Sequence, residues 1–212
     1  MRKALLLIVL SLASLNVRAA WYQVEIIIFE NLYPQSDGEV WSDPRELPVL
    51  GDAVELAPVD AVGNDPVAFK KLRSSQFKLG GVYKELSFSR NYRPLLHLSW
   101  QQPGRSGSRA TAVRIRDILN PESDIAAERR IKVDGTIRLR VSRFLHMDVD
   151  LVYLLENLSA IDRTNAVEDT VATPRASYTR LRESRRMKLN ELHYFDHPLF
   201  GIITRVSRLK IE

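Results

Sequence analysis

Residues 131–156 read IKVDGTIRLRVSRFLHMDVDLVYLLE, and the alternation in this stretch decides the fold class. Ile137, Leu139 and Val141 alternate with Thr136, Arg138 and Arg140; Met147, Val149 and Leu151 alternate with His146, Asp148 and Asp150. A period of two is that of a strand with one face buried. If the chain reverses near Phe144, residue 140 pairs with 148 and 138 with 150. That register sets two Arg–Asp couples on one face and stacks Val141 on Met147 and Leu139 on Val149 on the other. Both faces agree, which predicts an antiparallel hairpin, although Arg143-Phe144-Leu145 lacks the Gly or Asn that a tight turn favours.

Further strands lie on both sides. Tyr178–Leu189 alternates again, and 199–206 (LFGIITRV) reads as a mostly buried strand, with a polar loop over 159–177 before them. Upstream, Thr111–Ile118 is a strand, and 93–101 (RPLLHLSWQ) puts Leu96, Leu98 and Trp100 on one face. Residues 21–29 (WYQVEIIIF) become apolar on both faces, which predicts a central position in a sheet. Helices are expected in two places. Asp65-Pro66 has the form of an N-cap with proline in the first turn, opening a helix through Phe69 and Leu72. Leu79, Val82, Tyr83 and Leu86 follow helical spacing toward Arg90, with Gly80-Gly81 weakening the start. The fold class predicted is α+β, a mostly antiparallel sheet of six to eight strands with two or three helices.

Between Asn31 and Pro66 the character changes. Five of the ten prolines (34, 44, 48, 58, 66) fall here, with eight acids against one base, Arg45, for a net charge of −7. Val67–Glu212 holds 27 bases against 16 acids, net +11. Proline denies the N–H that helices and inner strands need, so 31–66 is predicted to be an acidic Pro-rich irregular segment draped over a basic body.

The 212 residues are 45% hydrophobic and 27% charged with no cysteine. That composition is neither disordered nor fibrous, and it excludes thiol nucleophiles, thiolate metal sites and disulfides. Residues 1–19 have the form of a secretory signal: Arg2 and Lys3, then the apolar run Ala4–Leu15, then Val17-Arg18-Ala19 before the cut. The run is shorter than the roughly twenty residues of a bilayer-spanning helix. The expectation is a periplasmic chain, 20–212, forming a single α+β domain with no transmembrane segment and no access to nucleic acid. Without its leader it carries 28 bases against 26 acids.

Three patterns compete for function. Ser75-Gln76-Phe77-Lys78 spells S-x-x-K, but no K-T-G follows and Ser89-Arg90-Asn91 comes too soon after it to complete a transpeptidase. His193, Asp196 and His197 have metal-ligating chemistry, yet Pro198, Phe195 and the flanking strands argue against the helix that would align both imidazoles. The expectation is no metal and no cofactor, with these side chains satisfying backbone groups where the chain turns into its last strand. On a strand, Arg180, Arg182, Arg186 and Lys188 share one face. Guanidinium forks match carboxylates bidentately, so the stripe could grip an anionic polymer; equally it could be a charged edge that blocks strand-to-strand aggregation. Outside the cytoplasm the anionic polymer at hand is peptidoglycan, whose stem peptides carry free carboxylates, and exposed aromatics such as Tyr194 could stack on its sugars.

With those residues noted, the chain resembles the CsiV family of secreted peptidoglycan-binding proteins. The resemblance rests on WYQVEIIIFEN (21–31), NYRPLLHLSWQQPG (91–104), GTIRLRVSRFLHMDVDLVYL (135–154) and SRRMKLNELHYFDHPLFGIITRV (184–206). Nothing over 32–64 carries it. It implies a non-enzymatic periplasmic protein that binds the wall and supports wall synthesis, division and cell shape, in partnership with the lipoprotein activator of a class A penicillin-binding protein. No binding residues come with it. Two other readings stay open. One is a protein–protein adaptor without glycan binding. The other is a metal-dependent wall hydrolase built on Glu191, His193, Asp196 and His197.

Overall fold

The computed structural model describes residues 20–34, 46–63, 66–119, 130–155 and 177–210. The signal sequence expected over 1–19, Asp65 and most of the polar loop expected over 159–177 lie outside the described residues.

Strand β1 (Trp21–Asn31) is buried from Tyr22 to Glu30, polar Gln23, Glu25 and Glu30 included, in keeping with the central position its apolar 26–29 stretch predicts. It lies at the centre of a five-stranded sheet, flanked by β4 (Tyr92–Pro103) and β10 (Phe200–Leu209), with β3 (Lys70–Lys71) and β9 (Leu192–His197) outermost. A second five-stranded sheet runs β2 (Ala53–Val54), β5 (Ala112–Leu119), β6 (Arg130–Val141), β7 (Leu145–Leu155) and β8 (Ser177–Met187). Among the described residues every ladder is antiparallel except β2 on β5. The sheets pack face to face. Val24, Ile26, Ile28, Trp100 and Ile202 of the first meet Ile137, Leu139, Met147, Val149 and Leu151 of the second in one buried cluster.

The predicted hairpin is β6–β7, with its register moved by two residues. Leu139 faces Met147, Ile137 faces Val149, and Ser142–Phe144 form the turn between the paired Val141 and Leu145. A two-residue slip keeps every side chain on its face, so alternation alone could not choose between the registers. Gly135 does choose. It has φ 147° and sits opposite Leu151, where a Cβ would lie 2.2 Å from the Asp150 carbonyl oxygen. Only glycine lets β7 approach there.

The described residues contain one α-helix, α1 (Gly80–Phe88), and two 3-10 turns, Ser74–Gln76 and Gly107–Arg109. The helix predicted after Pro66 is replaced by β3. Phe69 takes φ 58° and donates its N–H to Gln101 O at 2.8 Å, so this segment pairs with β4 instead of coiling. Helix α1 covers the outer face of the first sheet, the face turned away from the second. Glu25, 1% exposed, accepts the backbone N–H groups of Lys78 and Leu79 at 2.7 and 2.9 Å and meets His97 Nε2 at 2.9 Å. The His97 ring is stacked on Tyr83 of the helix and tilted against Phe77. One buried carboxylate thus ties β1 and β4 to the start of α1.

Burial pushes the Glu25 carboxyl up, but the His97 contact and the two amides outweigh it and hold the group below its ordinary 4.5. A depressed carboxylate stabilises the fold above its unfolded value and loses that contribution as pH falls through the folded one. The Glu25→Gln variant is therefore expected to be less stable by about 2 kcal/mol at neutral pH. Urea denaturation across pH checks this, and the gap from the unmodified chain should narrow below pH 4.5.

Candidate functional site

The outer face of the second sheet carries the even-numbered residues of β6, β7 and β8, because the odd-numbered ones, apart from Glu183 and Arg185 on β8, fill the core. Three Arg–Asp forks cross it. Arg140 donates from Nε and Nη2 to Asp148 at 2.7 Å each, and Arg180 does the same to Asp150 at 2.7 and 2.8 Å. Arg114 binds Asp134 at 3.1 and 2.8 Å. Ser184 adds a 2.6 Å bond to Asp148. Burial pushes the Asp148 carboxyl up, but its bonds to Arg140 and Ser184 prevail and hold it below its ordinary value.

The expected stripe therefore divides. Arg180, Arg182 and Arg186 share the outer face, but Arg180 is committed to Asp150 and also donates to the Glu46 carbonyl at 2.7 Å. Arg182 is exposed and forms no ion pair among the described residues. The Arg186 guanidinium lies 3.4 Å from the Phe144 ring centroid, a stacked position that leaves its N–H edge available. Lys188 follows the end of β8, with Nζ 3.5 Å from Glu191.

Sequence reasoning missed Arg138. It lines a groove of about 620 Å³ with Arg180, Arg182, Asp148, Asp150 and Ser184, and its Nε is buried without a hydrogen-bond partner. A buried unsatisfied N–H on an arginine is a demand for an acceptor, and a bound anion supplies one. Alternation pointed Arg138 outward but coupled it with Asp150; the expected Arg140–Asp148 couple forms, whereas Asp150 turns to Arg180 on β8 and leaves Arg138 without it. Residues of the acidic segment border this face. Glu46, Leu47 and Val49 line the groove, and Glu55 stands 3.7 and 3.8 Å from Arg114 and Arg116. Residues 35–45 of that segment lie outside the described residues.

Tyr194 is on the other outer face, that of the first sheet. Its phenol donates to Asp196 Oδ1 at 2.6 Å, and its ring stacks parallel to Phe29 with centroids 6.0 Å apart. Arg185, on the inward side of β8 and over the Phe195 ring, donates to the Tyr194 carbonyl oxygen. Strand alternation sends Asp196 to the opposite face from His193 and His197. The Lys188 N–H donates to His193 Nε2 at 3.0 Å. His197 Nδ1 accepts the Leu199 N–H at 3.2 Å, which leaves Nε2 to donate to Thr179 Oγ1 at 2.9 Å. Burial holds the His197 ring below its ordinary value against the pull of Asp196. Among the described residues no three His, Asp or Glu side chains are grouped to hold a metal. Ser75 and Lys78 are exposed, and the Lys78 backbone N–H serves Glu25.

No helix of the described residues is long and apolar enough to cross a membrane. A family model for the peptidoglycan-binding protein CsiV matches residues 2–209. No curated protein and no solved structure matches the chain.

Proposed function

The chain belongs to the CsiV family of peptidoglycan-binding proteins, and from that membership and the basic groove we propose that it is a non-enzymatic periplasmic protein that holds the wall through stem-peptide carboxylates. The observation that carries the reading is the surplus of arginine on the outer face of the second sheet. Arg114, Arg140 and Arg180 each grip an aspartate, which leaves Arg138, Arg182 and Arg186 for an acceptor from outside. The three internal forks set the pattern that a stem-peptide carboxylate would repeat at Arg138 and Arg182.

In this reading residues 1–19 are a cleaved secretory signal and 20–212 act as one domain. Wall binding serves wall synthesis, division and cell shape, in partnership with the lipoprotein activator of a class A penicillin-binding protein. Support for those roles is the family resemblance.

The test is co-sedimentation with two preparations of sacculi, one untreated and one whose stem-peptide carboxyls have been converted to amides. The chain is expected to pellet with the first and markedly less with the second. Equal pelleting with both would remove the carboxylates from the account.

A further inference from the structure

At the β9 end of the first sheet's outer face, β1, β4, β9 and β10 bring together rings that are far apart in sequence. Phe29 is 4% exposed and forms the floor. Tyr194 lies parallel to it, and Tyr92 meets it edge-on at 5.2 Å and 81°. Tyr92, Tyr194 and Tyr33 are 39%, 40% and 70% exposed. Gly201 makes the arrangement possible: a Cβ there would stand 2.7 Å from Phe29 and 2.7 Å from Tyr194. The rings close over bare backbone, as aromatic side chains do over a strand glycine.

These rings line a cleft of about 570 Å³ with a polar rim, inside the ~300–1,000 Å³ range of sites that hold small molecules. Asn31 is spent on the local turn, donating to Pro198 O and accepting from the Tyr33 N–H. Asn91 and Asp196 are exposed on the rim, and among the described residues nothing bonds the Asn91 side chain or Asp196 Oδ2. A second cleft adjoins the first, sharing Phe29, Tyr92 and Tyr194 and continuing past Leu86, Leu192 and Ile203. Tyr92 and Tyr194 therefore stand in the middle of a trough with Tyr33 toward one end, a shape suited to a strand more than to a single ring.

We propose that this trough is a second wall-binding site, distinct from the basic groove, and that it takes the glycan strand itself. A pyranose ring offers a face of C–H bonds to the electron-rich face of a tyrosine, while its hydroxyl and acetamido groups need donors and acceptors at the edge. Tyr33, Tyr92 and Tyr194 supply the faces, and Asn91 and Asp196 the edge. The Tyr194 phenol, locked to Asp196, keeps its ring in place. The inference rests on the wall-binding reading and adds to it the part of the polymer recognised on this side.

The probe is soluble glycan strands from which an amidase has removed every stem peptide, titrated against the full chain. Intact sacculi in parallel report the wall-binding reading by itself. Stripped strands are expected to bind, and both Tyr33→Ala and Tyr194→Ala to weaken them roughly tenfold. Tyr33 is exposed enough that its truncation leaves the fold intact, so one variant stays informative if the other fails to fold. Sacculi that pellet while stripped strands stay unbound would overturn the glycan site alone, as would tyrosine variants that bind like the unmodified chain. Failure to pellet with sacculi would overturn the wall reading and this site with it.

Discussion

A Gly135→Ala substitution is expected to destabilise the protein by about 4 kcal/mol, lowering its Tm by about 8–16 °C. The added methyl would lie 2.2 Å from the Asp150 carbonyl oxygen and 2.8 Å from Leu151 Cα. Both are backbone atoms of β7, so relief requires parting β6 from β7 in the interior of the second sheet. The backbone angle adds a separate cost, because φ 147° is a region that residues with a Cβ rarely occupy. Gly81→Ala makes the same chemical change where nothing lies within 4 Å, inside α1, and should leave Tm unchanged or raise it. Thermal denaturation of both variants checks the contrast. An unchanged Tm for Gly135→Ala would mean that β6 and β7 pair in another register.

The largest functional effect is expected from Arg182→Glu combined with Arg186→Glu. Both arginines are exposed and no aspartate holds either one, so reversing them costs little stability. Each reversal removes a charge-assisted fork and places a like charge before the incoming carboxylate. The affinity for sacculi should fall by roughly ten- to a hundredfold or more. Lys84→Glu, on the exposed side of α1 across the first sheet, changes a charge in the same sense away from the groove and should leave pelleting near that of the unmodified chain. Equal losses in both would trace binding to net charge. No loss in the double variant would remove the groove from the account.

Strand positions were legible because alternation is a local signal. The apolar run of β1, the two-residue rhythm of Leu96, Leu98 and Trp100 and the paired faces around Phe144 all report burial residue by residue. What depends on partners distant in sequence was not. Phe69 and Leu72 have a spacing that suits a helix, and it is their N–H groups, reaching Gln101 and Ser99 of β4, that make the segment a strand. Arg138 and Arg180 look alike in the sequence; Asp150 commits one, while the other keeps an unsatisfied Nε. Tyr194 was visible as an exposed aromatic, but Phe29, Tyr92 and Gly201 join it only through the pairing of β1 with β4 and β10. The role of Glu25 was hidden for the same reason, since His97 and the amides at the start of α1 reach it from a different part of the chain.

The central claim, wall binding without catalysis, is tested most directly by incubating the purified chain with untreated sacculi. After sedimentation, the pellet is assayed for protein and the supernatant for released muropeptides. The account predicts protein in the pellet and no fragments, with or without chelator. Protein left in solution, or fragments whose release a chelator stops, would contradict it.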